Sequence, residues 1–155
     1  SLLDQGKTAE EVKAILEGER DASSIYVAVS TLEYLRKSGR VTAAGAAMAT
    51  ILHIKPVLQI QGGKLDAYRK VRGMLHAKKT MIAALRHDLA TRFSGMRMAV
   101  YSGYSGSDRT VGDTWHDEVQ AAFPEYKVPP SVSLPLSICC HTGEGAVGLG
   151  YAKVW

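Results

Sequence analysis

Residues 24–39 have the sequence SIYVAVSTLEYLRKSG, in which a strand signal and a helix signal follow each other with almost no loop. Ser24 to Ser30 is rich in β-branched and aromatic residues, which predicts a buried strand. Ser30-Thr-Leu-Glu33 has the spacing of a capping box and predicts a short helix that ends at Gly39. A buried strand joined directly to a short helix indicates a domain that contains both kinds of element.

Further helix and strand signals lie on both sides of this segment. The capping box Thr8-Ala-Glu-Glu11 predicts a first helix, and the Ala-rich stretch from Val41 to Ile54 predicts another. Gly62-Gly63 lies between two strand-like segments, which predicts a β-hairpin. Apolar residues at helical spacing from Leu75 to Phe93 predict the longest helix.

The remaining segments complete the predicted sheet. Residues 96–102 predict a strand, and residues around 111–123 predict a helix. A half-buried edge strand is predicted over residues 131–138, because serine and proline alternate with Val132, Leu134, Leu136 and Ile138. Residues 146–154 predict a last strand, alone or after a short helix. The predicted fold class is therefore α+β, a layered structure whose mixed, largely antiparallel sheet has helices packed on one side.

Composition and charge exclude several classes of protein. The chain has 155 residues, of which 46% are hydrophobic and 22% charged, as in a folded soluble domain and unlike a disordered chain. No apolar run is long enough to predict a membrane span. Residues 1–35 hold 3 basic and 7 acidic side chains, residues 36–97 hold 13 and 2, and residues 98–155 hold 3 and 6. The basic segment 36–97 indicates an anionic partner, with a nucleic-acid-binding module as one alternative, or else a solvated basic surface.

The two cysteines are adjacent in the sequence. Cys139 and Cys140 are too close to form an ordinary disulfide, which favours a reducing compartment and hence the cytoplasm. In an extended segment these cysteines and His141 point to alternate faces, so no metal site is predicted. Cys140 beside His141 leaves a thiol-dependent hydrolase or transferase as a less favoured alternative, because catalytic dyads normally come from distant segments. We therefore predict no catalytic residue, no metal and no cofactor.

His141-Thr-Gly-Glu-Gly145 is the main candidate binding segment. Its glycines could expose backbone N–H groups to an anion, with His141 and Thr142 adding side-chain donors. Alternatively, it is a tight turn in which Gly143 and Gly145 only supply a positive φ. The spacing does not choose between the two interpretations.

Two arginines are further candidate ligands for an anion. Arg40 follows the glycine that ends the predicted helix, and Arg72 lies at the end of the predicted hairpin. A guanidinium group suits paired contacts with carboxylate or phosphate, although each arginine could also be an ordinary surface residue. The small side chains of residues 41–54 allow close approach either of another helix or of a ligand.

Four parts of the sequence, taken in order, resemble the DegV family of bacterial proteins. They are Leu32 to Val41, Leu52 to Leu58, the pair Gly63-Lys-Leu and Lys70-Val-Arg72, and the closing segment His141-Thr-Gly-Glu-Gly-Ala-Val-Gly-Leu-Gly150. The family usually has proline at the position of Glu144, a change in a loop that should not remove the histidine. The resemblance covers essentially the whole chain.

The resemblance implies both a fold and a function. DegV proteins have two domains and bind one long-chain fatty acid, and in some of them a kinase subunit converts the bound acid to an acyl phosphate for phospholipid synthesis. It implies that this chain is a lipid carrier and not an enzyme, with fatty acid as ligand and a fatty-acid kinase subunit as partner. It also implies that residues 24–155 are the C-terminal lipid-binding domain and residues 1–23 a junction helix, with the N-terminal domain absent from this chain.

The binding site implied by the resemblance has two parts. The expected contacts of the head group or phosphate are His141, Thr142, Gly143, Arg40 and Arg72. The expected lining of the acyl tail is Ala44, Ala47, Met48, Ile51, Leu52, Ile82 and Leu85. For the last two, which lie on the long helix, a place in the core is the favoured alternative. The basic middle would dock to an acidic kinase surface or neutralise an acyl phosphate, and an uncovered interdomain surface would make the chain self-associate.

Overall fold

The computed structural model describes residues 2–39 and 54–155, and within these ranges a six-stranded sheet is combined with five helices. The helices are α1 (Ala9–Gly18), α2 (Glu33–Lys37), α3 (Met74–Ala90), α4 (Arg109–Ala122) and α5 (Leu136–Thr142). The strands are β1 (Ser23–Ala28), β2 (Ile54–Gln61), β3 (Lys64–Arg72), β4 (Met98–Tyr104), β5 (Val132–Ser133) and β6 (Val147–Lys153). The sheet order is β3-β2-β1-β6-β4-β5, and only β4 and β5 run parallel, which confirms the predicted mixed, largely antiparallel α+β class.

Two local sequence signals act as predicted. The hydroxyl of Thr8 accepts a hydrogen bond from Glu11 N at 3.2 Å, and the Glu11 carboxylate accepts one from Thr8 N at 2.9 Å, so the capping box starts α1. Gly62 and Gly63 have φ values of 55° and 76°, as the primed turn of the β2–β3 hairpin requires. The Arg20 side chain donates to the Gly62 carbonyl at 2.6 Å and so ties this turn to the segment after α1.

The two faces of the sheet are covered differently. Helices α3 and α4 pack on one face over the main core, whose largest buried side chains include Tyr26, Trp115, Phe123, Met81, Leu85 and Leu149. On the opposite face a smaller cluster forms where α2 packs Leu32 and Leu35 against Val27 and Leu58. The prediction that helices lie on one side is therefore correct for α3 and α4 but not for α2. None of the described helices is both long enough and apolar enough to cross a membrane.

The predicted strand over residues 131–138 is wrong. Only Val132–Ser133 pair with β4, and Leu136–Thr142 form helix α5 directly after Pro135. The proline has φ −62° and no N–H for a ladder, so it ends the strand and suits the residue before a helix. Three of the four apolar residues are exposed rather than half-buried, with 60% for Val132, 79% for Leu136 and 40% for Ile138, whereas Leu134 is half-buried.

Two predicted helix boundaries also differ from the structure. Ser30 does not cap α2: the helix starts at Glu33, whose N–H donates to the Thr31 hydroxyl at 3.1 Å. Ile54, predicted as the last residue of the Ala-rich helix, is the first residue of β2. The rest of that predicted helix lies outside the described residues.

A buried carboxylate joins α3 to the centre of the sheet. Asp88 is 6% exposed, and its Oδ2 accepts hydrogen bonds from Tyr26 Oη at 2.6 Å and Tyr151 Oη at 2.8 Å. Arg92 Nη1 lies 3.5 Å from Oδ1, the other carboxylate oxygen. Because Tyr26 is on β1 and Tyr151 on β6, one acceptor holds the helix over two adjacent strands.

Replacing the shared acceptor should therefore destabilise the whole domain. We expect Asp88→Ala to lower the free energy of unfolding by about 3 kcal/mol, because two buried hydroxyls lose their acceptor and Arg92 loses its ion pair. The control is Asp66→Ala, which removes an exposed carboxylate from β3 and should cost less than about 0.5 kcal/mol. Urea unfolding measures both, and equal effects would contradict the role given to Asp88.

The two tyrosines should also make stability depend on alkaline pH. Burial, then the hydrogen bond to Asp88, raises the pKa of Tyr26 and that of Tyr151 above the ordinary value of about 10. Both hydroxyls therefore make their full contribution to the free energy of unfolding below pH 10. This contribution is lost as the pH rises further, because the two tyrosines ionise at a lower pH in the unfolded chain than in the folded protein. Denaturant midpoints from pH 8 to 11 should fall less steeply above pH 10 for Tyr26→Phe than for the wild type.

Candidate functional site

An apolar groove of about 410 Å³ lies on the sheet face opposite α3 and α4. Its floor is made of glycines, since Gly103 on β4 pairs with Gly148 on β6 and Gly150 is two residues further along β6. Its sides include Ile25, Tyr101, Val132 and Leu134. The floor lies at the level of the backbone because no side chain rises from these three positions.

No described residue fills the space directly above Gly148. A Cβ placed on this residue would have its nearest heavy atoms, two backbone oxygens, at 3.9 Å. A Cβ on Gly103, by contrast, would lie 3.2 Å from Leu134 Cδ2. The described structure thus has room for a side chain at Gly148, and a larger one would fill the groove.

A second, more polar pocket of about 550 Å³ adjoins the groove, and Leu134 lines both. Its lining includes Tyr34, Ser107, Cys139, Cys140, Gly143 and Glu144. The candidate segment 141–145 therefore lies beside the groove, where the exposed helix α5 turns back into β6.

The turn at 143–146 is tightly held by the protein itself. The N–H groups of Gly143, Gly145 and Ala146 donate to Cys139 O at 2.8 Å, Ser105 O at 3.0 Å and Ser105 Oγ at 2.9 Å. These amides are therefore not available to an anion, which favours the tight-turn interpretation over an open anion nest. Gly143 has φ 70° and ψ −179°, and a Cβ there would lie 2.5 Å from the Tyr34 ring.

The two predicted side-chain donors of this segment differ in their environment. Thr142 is buried, and its hydroxyl donates to Ile138 O at 3.2 Å within α5. His141 Nδ1 is a buried atom for which no described residue supplies a hydrogen-bond partner. An unpaired buried ring nitrogen is costly unless a ligand or another group completes it, so His141 is the better candidate for a contact with a head group.

Lys55 is a candidate that the sequence interpretation missed. Its ammonium group is half-buried and donates to Ser30 O at 2.6 Å, while Ser30 Oγ donates to Gly145 O at 3.0 Å. No carboxylate within the described ranges forms an ion pair with Lys55. In the sequence, Lys55 stands before Pro56, a pair that is typical of a helix end, and no local pattern indicates a cation at this turn.

The other predicted site residues lie elsewhere. Arg72 is exposed and pairs with Ile54 at the same end of the sheet as Ser30, but on the edge strand β3. Ile82 and Leu85 pack in the main core below α3, on the face of the sheet away from the groove. The residues that lie outside the described ranges are Arg40, Ala44, Ala47, Met48, Ile51 and Leu52.

The adjacent cysteines lie on a helix and not on the extended segment that was predicted. The prediction that Cys139, Cys140 and His141 point to alternate faces of an extended segment is therefore wrong. On a helix, consecutive side chains point about 100° apart, which also keeps the three from converging on one metal ion. The Cys139 thiol donates to Leu134 O at 3.3 Å, and Cys140 is exposed. No described hydrogen bond joins Cys140 to His141, so the structure does not favour the thiol-dependent enzyme.

Gly143→Ala should strain the turn that positions His141. We expect it to lower the free energy of unfolding by about 1–3 kcal/mol, because its backbone conformation is open almost only to glycine. The matched control is Gly148→Ala, for which the structure has space and which should leave stability almost unchanged. Thermal and urea unfolding measure both variants, and an unchanged Gly143→Ala protein would show that the turn is not constrained.

Comparison with known proteins identifies one family. The family model described as "Uncharacterised protein, DegV family" matches residues 1–154. A DegV domain-containing protein of Staphylococcus aureus is 30% identical over 151 residues, which are 97% of this chain and 51% of the relative. The chain thus spans about half the length of the curated relatives it matches.

Solved structures of similar proteins have the same fold. A DegV family protein of Thermus thermophilus described by its fatty acid binding is 30% identical, with a TM-score of 0.77 over 99% of this chain and 53% of its own. A Thermotoga maritima protein whose structure is described as revealing fatty acid binding function is 28% identical, with a TM-score of 0.70 over 99% and 51%. A stearic acid-binding protein of Eubacterium ventriosum has a TM-score of 0.86 over 98% and 52%, and at 23% identity this likeness concerns the fold alone.

Proposed function

The chain belongs to the DegV family, and on this premise we propose that it binds a long-chain fatty acid whose acyl tail lies in the glycine-floored groove. The observation that carries the proposal is the groove itself, an apolar channel on a sheet face that α3 and α4 leave open. The fatty acid binding described for the Thermus and Thermotoga relatives supports this choice of ligand.

Most of the affinity should come from the tail. Burial of an alkyl chain contributes roughly 0.8 kcal/mol per CH₂ group. The groove can accept such a chain because Gly103, Gly148 and Gly150 leave its floor without side chains. Proposed lining residues of the tail are still Ala44, Ala47, Met48, Ile51 and Leu52, which lie outside the described ranges. The position of Ile82 and Leu85 supports a role in the core.

The carboxylate of the ligand is proposed to lie beside His141. His141 Nδ1 has no hydrogen-bond partner among the described residues. The Lys55 ammonium donates to the carbonyl of Ser30, and the Ser30 hydroxyl donates to Gly145 O in the turn that follows His141. A cation and a ring N–H are suitable partners for a carboxylate. Arg40 and Arg72 remain proposed as further cations for the head group or for an acyl phosphate.

The groove is proposed to be one part of a larger site. Residues 24–155 would form the C-terminal lipid-binding domain and residues 1–23 the junction, with the second half of the site in the region of the relatives that this chain does not match. Exposed apolar side chains beside the groove, among them Leu136 and Val132, are consistent with a surface that another domain covers. Self-association of this chain remains a prediction.

The role proposed for the whole protein is that of a cytoplasmic carrier. A separate kinase subunit would transfer a phosphoryl group to the bound carboxylate, and the carrier would perform no reaction itself. Incubation of the carrier with fatty acid and ATP alone should then give no acyl phosphate.

The nucleic-acid alternative has less support. Several basic side chains of segment 36–97 are engaged within the protein: Lys37 with Glu33, Lys78 with Glu118, Arg92 with Asp88 and Arg86 with the Ala122 carbonyl. Oligonucleotide binding with a steep salt dependence would revive this alternative.

A valine side chain at Gly148 should weaken fatty acid binding without unfolding the protein. We expect Gly148→Val in the product of the complete gene to weaken fatty acid binding roughly tenfold or more, because the valine occupies the floor of the groove. Native mass spectrometry after bacterial expression detects the bound lipid, and displacement of a fluorescent fatty acid measures the affinity.

The matched control for this experiment is Ala67→Val. It adds a β-branched side chain at an exposed position of β3 away from the groove, and it should retain the lipid. Lipid retained by a folded Gly148→Val protein would contradict the proposed path of the tail. Wild-type protein that carries no lipid from several expression hosts would contradict the function itself.

A further inference from the structure

A basic pocket of about 330 Å³ lies between β3 and α3, and we propose that it binds the phosphate group of a small molecule. It is lined by Tyr68, Arg69, His76, Lys79, Thr80, Ala83, Ala84 and His87. The helix α3 packs on the face of the sheet opposite the groove, so this pocket is separate from the fatty acid site.

An irregularity of β3 brings two neighbouring residues to the same pocket. Val57 pairs with Arg69 and Leu58 pairs with Ala67, so Tyr68 is an extra residue without an opposite partner. In a regular strand Tyr68 and Arg69 would point to opposite faces, but such a bulge changes the direction of side chains. The Arg69 guanidinium accordingly lies 6.0 Å from the centre of the Tyr68 ring, and both residues line the pocket.

The opposite wall is one side of α3. His76, Lys79, Thr80, Ala83 and His87 recur at spacings of three and four residues, which places them on one face of the helix. Ala83 and Ala84 are small, and this leaves the hollow between the longer side chains open. Thr80 adds a hydroxyl, so the wall offers a cation, two imidazoles and an alcohol to a ligand.

The charges in this pocket are not neutralised by the protein. Within the described residues neither Arg69 nor Lys79 forms an ion pair, and no acidic side chain lines the pocket. The adjacent Lys78 differs, because its ammonium lies 2.8 Å from the Glu118 carboxylate. Two cations with histidine and threonine donors around one hollow are complementary to an oxyanion that carries two charges.

The ligand class follows from these groups. An arginine and a lysine suit phosphate better than a single carboxylate, since a phosphate monoester offers three acceptor oxygens and close to two charges. The exposed Tyr68 ring adds a flat apolar surface at the edge of the pocket, where a planar group attached to the phosphate could stack.

The test uses this chain with inorganic phosphate and adenosine 5′-phosphate as probes, in a buffer free of phosphate. We expect saturable changes in the NMR signals of the His76 and His87 rings, while those of His116 and His141 stay unchanged. Lys79→Gln should weaken binding of both probes about tenfold in calorimetric titrations. Tighter binding of the nucleotide than of phosphate would indicate a ligand that stacks on Tyr68, and equal binding would indicate recognition of the phosphate alone.

The matched control is Lys70→Gln, which removes the same charge from the residue next to Arg69 but outside the pocket lining. It should change the affinity by less than about twofold, which separates a defined site from a general effect of charge. Equal losses in the two variants would overturn the proposal, as would histidine signals that do not respond to either probe. Failure of fatty acid binding would not affect this test, because the two sites lie on different faces of the sheet.

Discussion

The carboxylate of Asp88, shared by Tyr26 and Tyr151, is the interaction on which the rest of the structure depends. It fixes which face of β1 and β6 is turned towards α3. Because side chains alternate along a strand, Ile25 and Gly148 must then point to the other face. The buried polar contact on one side of the sheet thereby places the glycine-floored groove on the other.

The groove and the turn beside it depend on glycine for different reasons. At Gly148 the lack of a side chain leaves a space that the neighbouring residues do not fill, which is what a ligand requires. At Gly143 the backbone conformation and the Tyr34 ring both exclude a side chain, which is what a rigid turn requires. Ser105 then holds the turn through its backbone and its hydroxyl, and Gly143 of this turn lines the pocket that adjoins the groove.

The sheet separates two surfaces with different chemistry. One face has an apolar groove, in which the proposed burial of a hydrocarbon chain would supply the binding energy. The other has a basic pocket at the edge of α3, where a bulge at Tyr68 adds Arg69 to a row of helical side chains. Part of the positive charge of segment 36–97 is thus concentrated in one pocket, while Lys37, Lys78 and Arg92 form ion pairs within the protein.

The sequence by itself determined the elements whose signals act over a few residues: the capping box at Thr8, the Gly62-Gly63 turn and the long helix α3. It misjudged residues 131–138, because the alternation of apolar residues predicts a full strand, whereas Pro135 ends the pairing with β4 and helix α5 follows. Only the tertiary structure decided that Leu85 lies in the core, that Gly148 lies in a groove and that Lys55 reaches Ser30. These outcomes depend on contacts between residues far apart in the chain, such as Tyr26 and Asp88. A local sequence pattern does not show which face of a helix or strand will form such contacts.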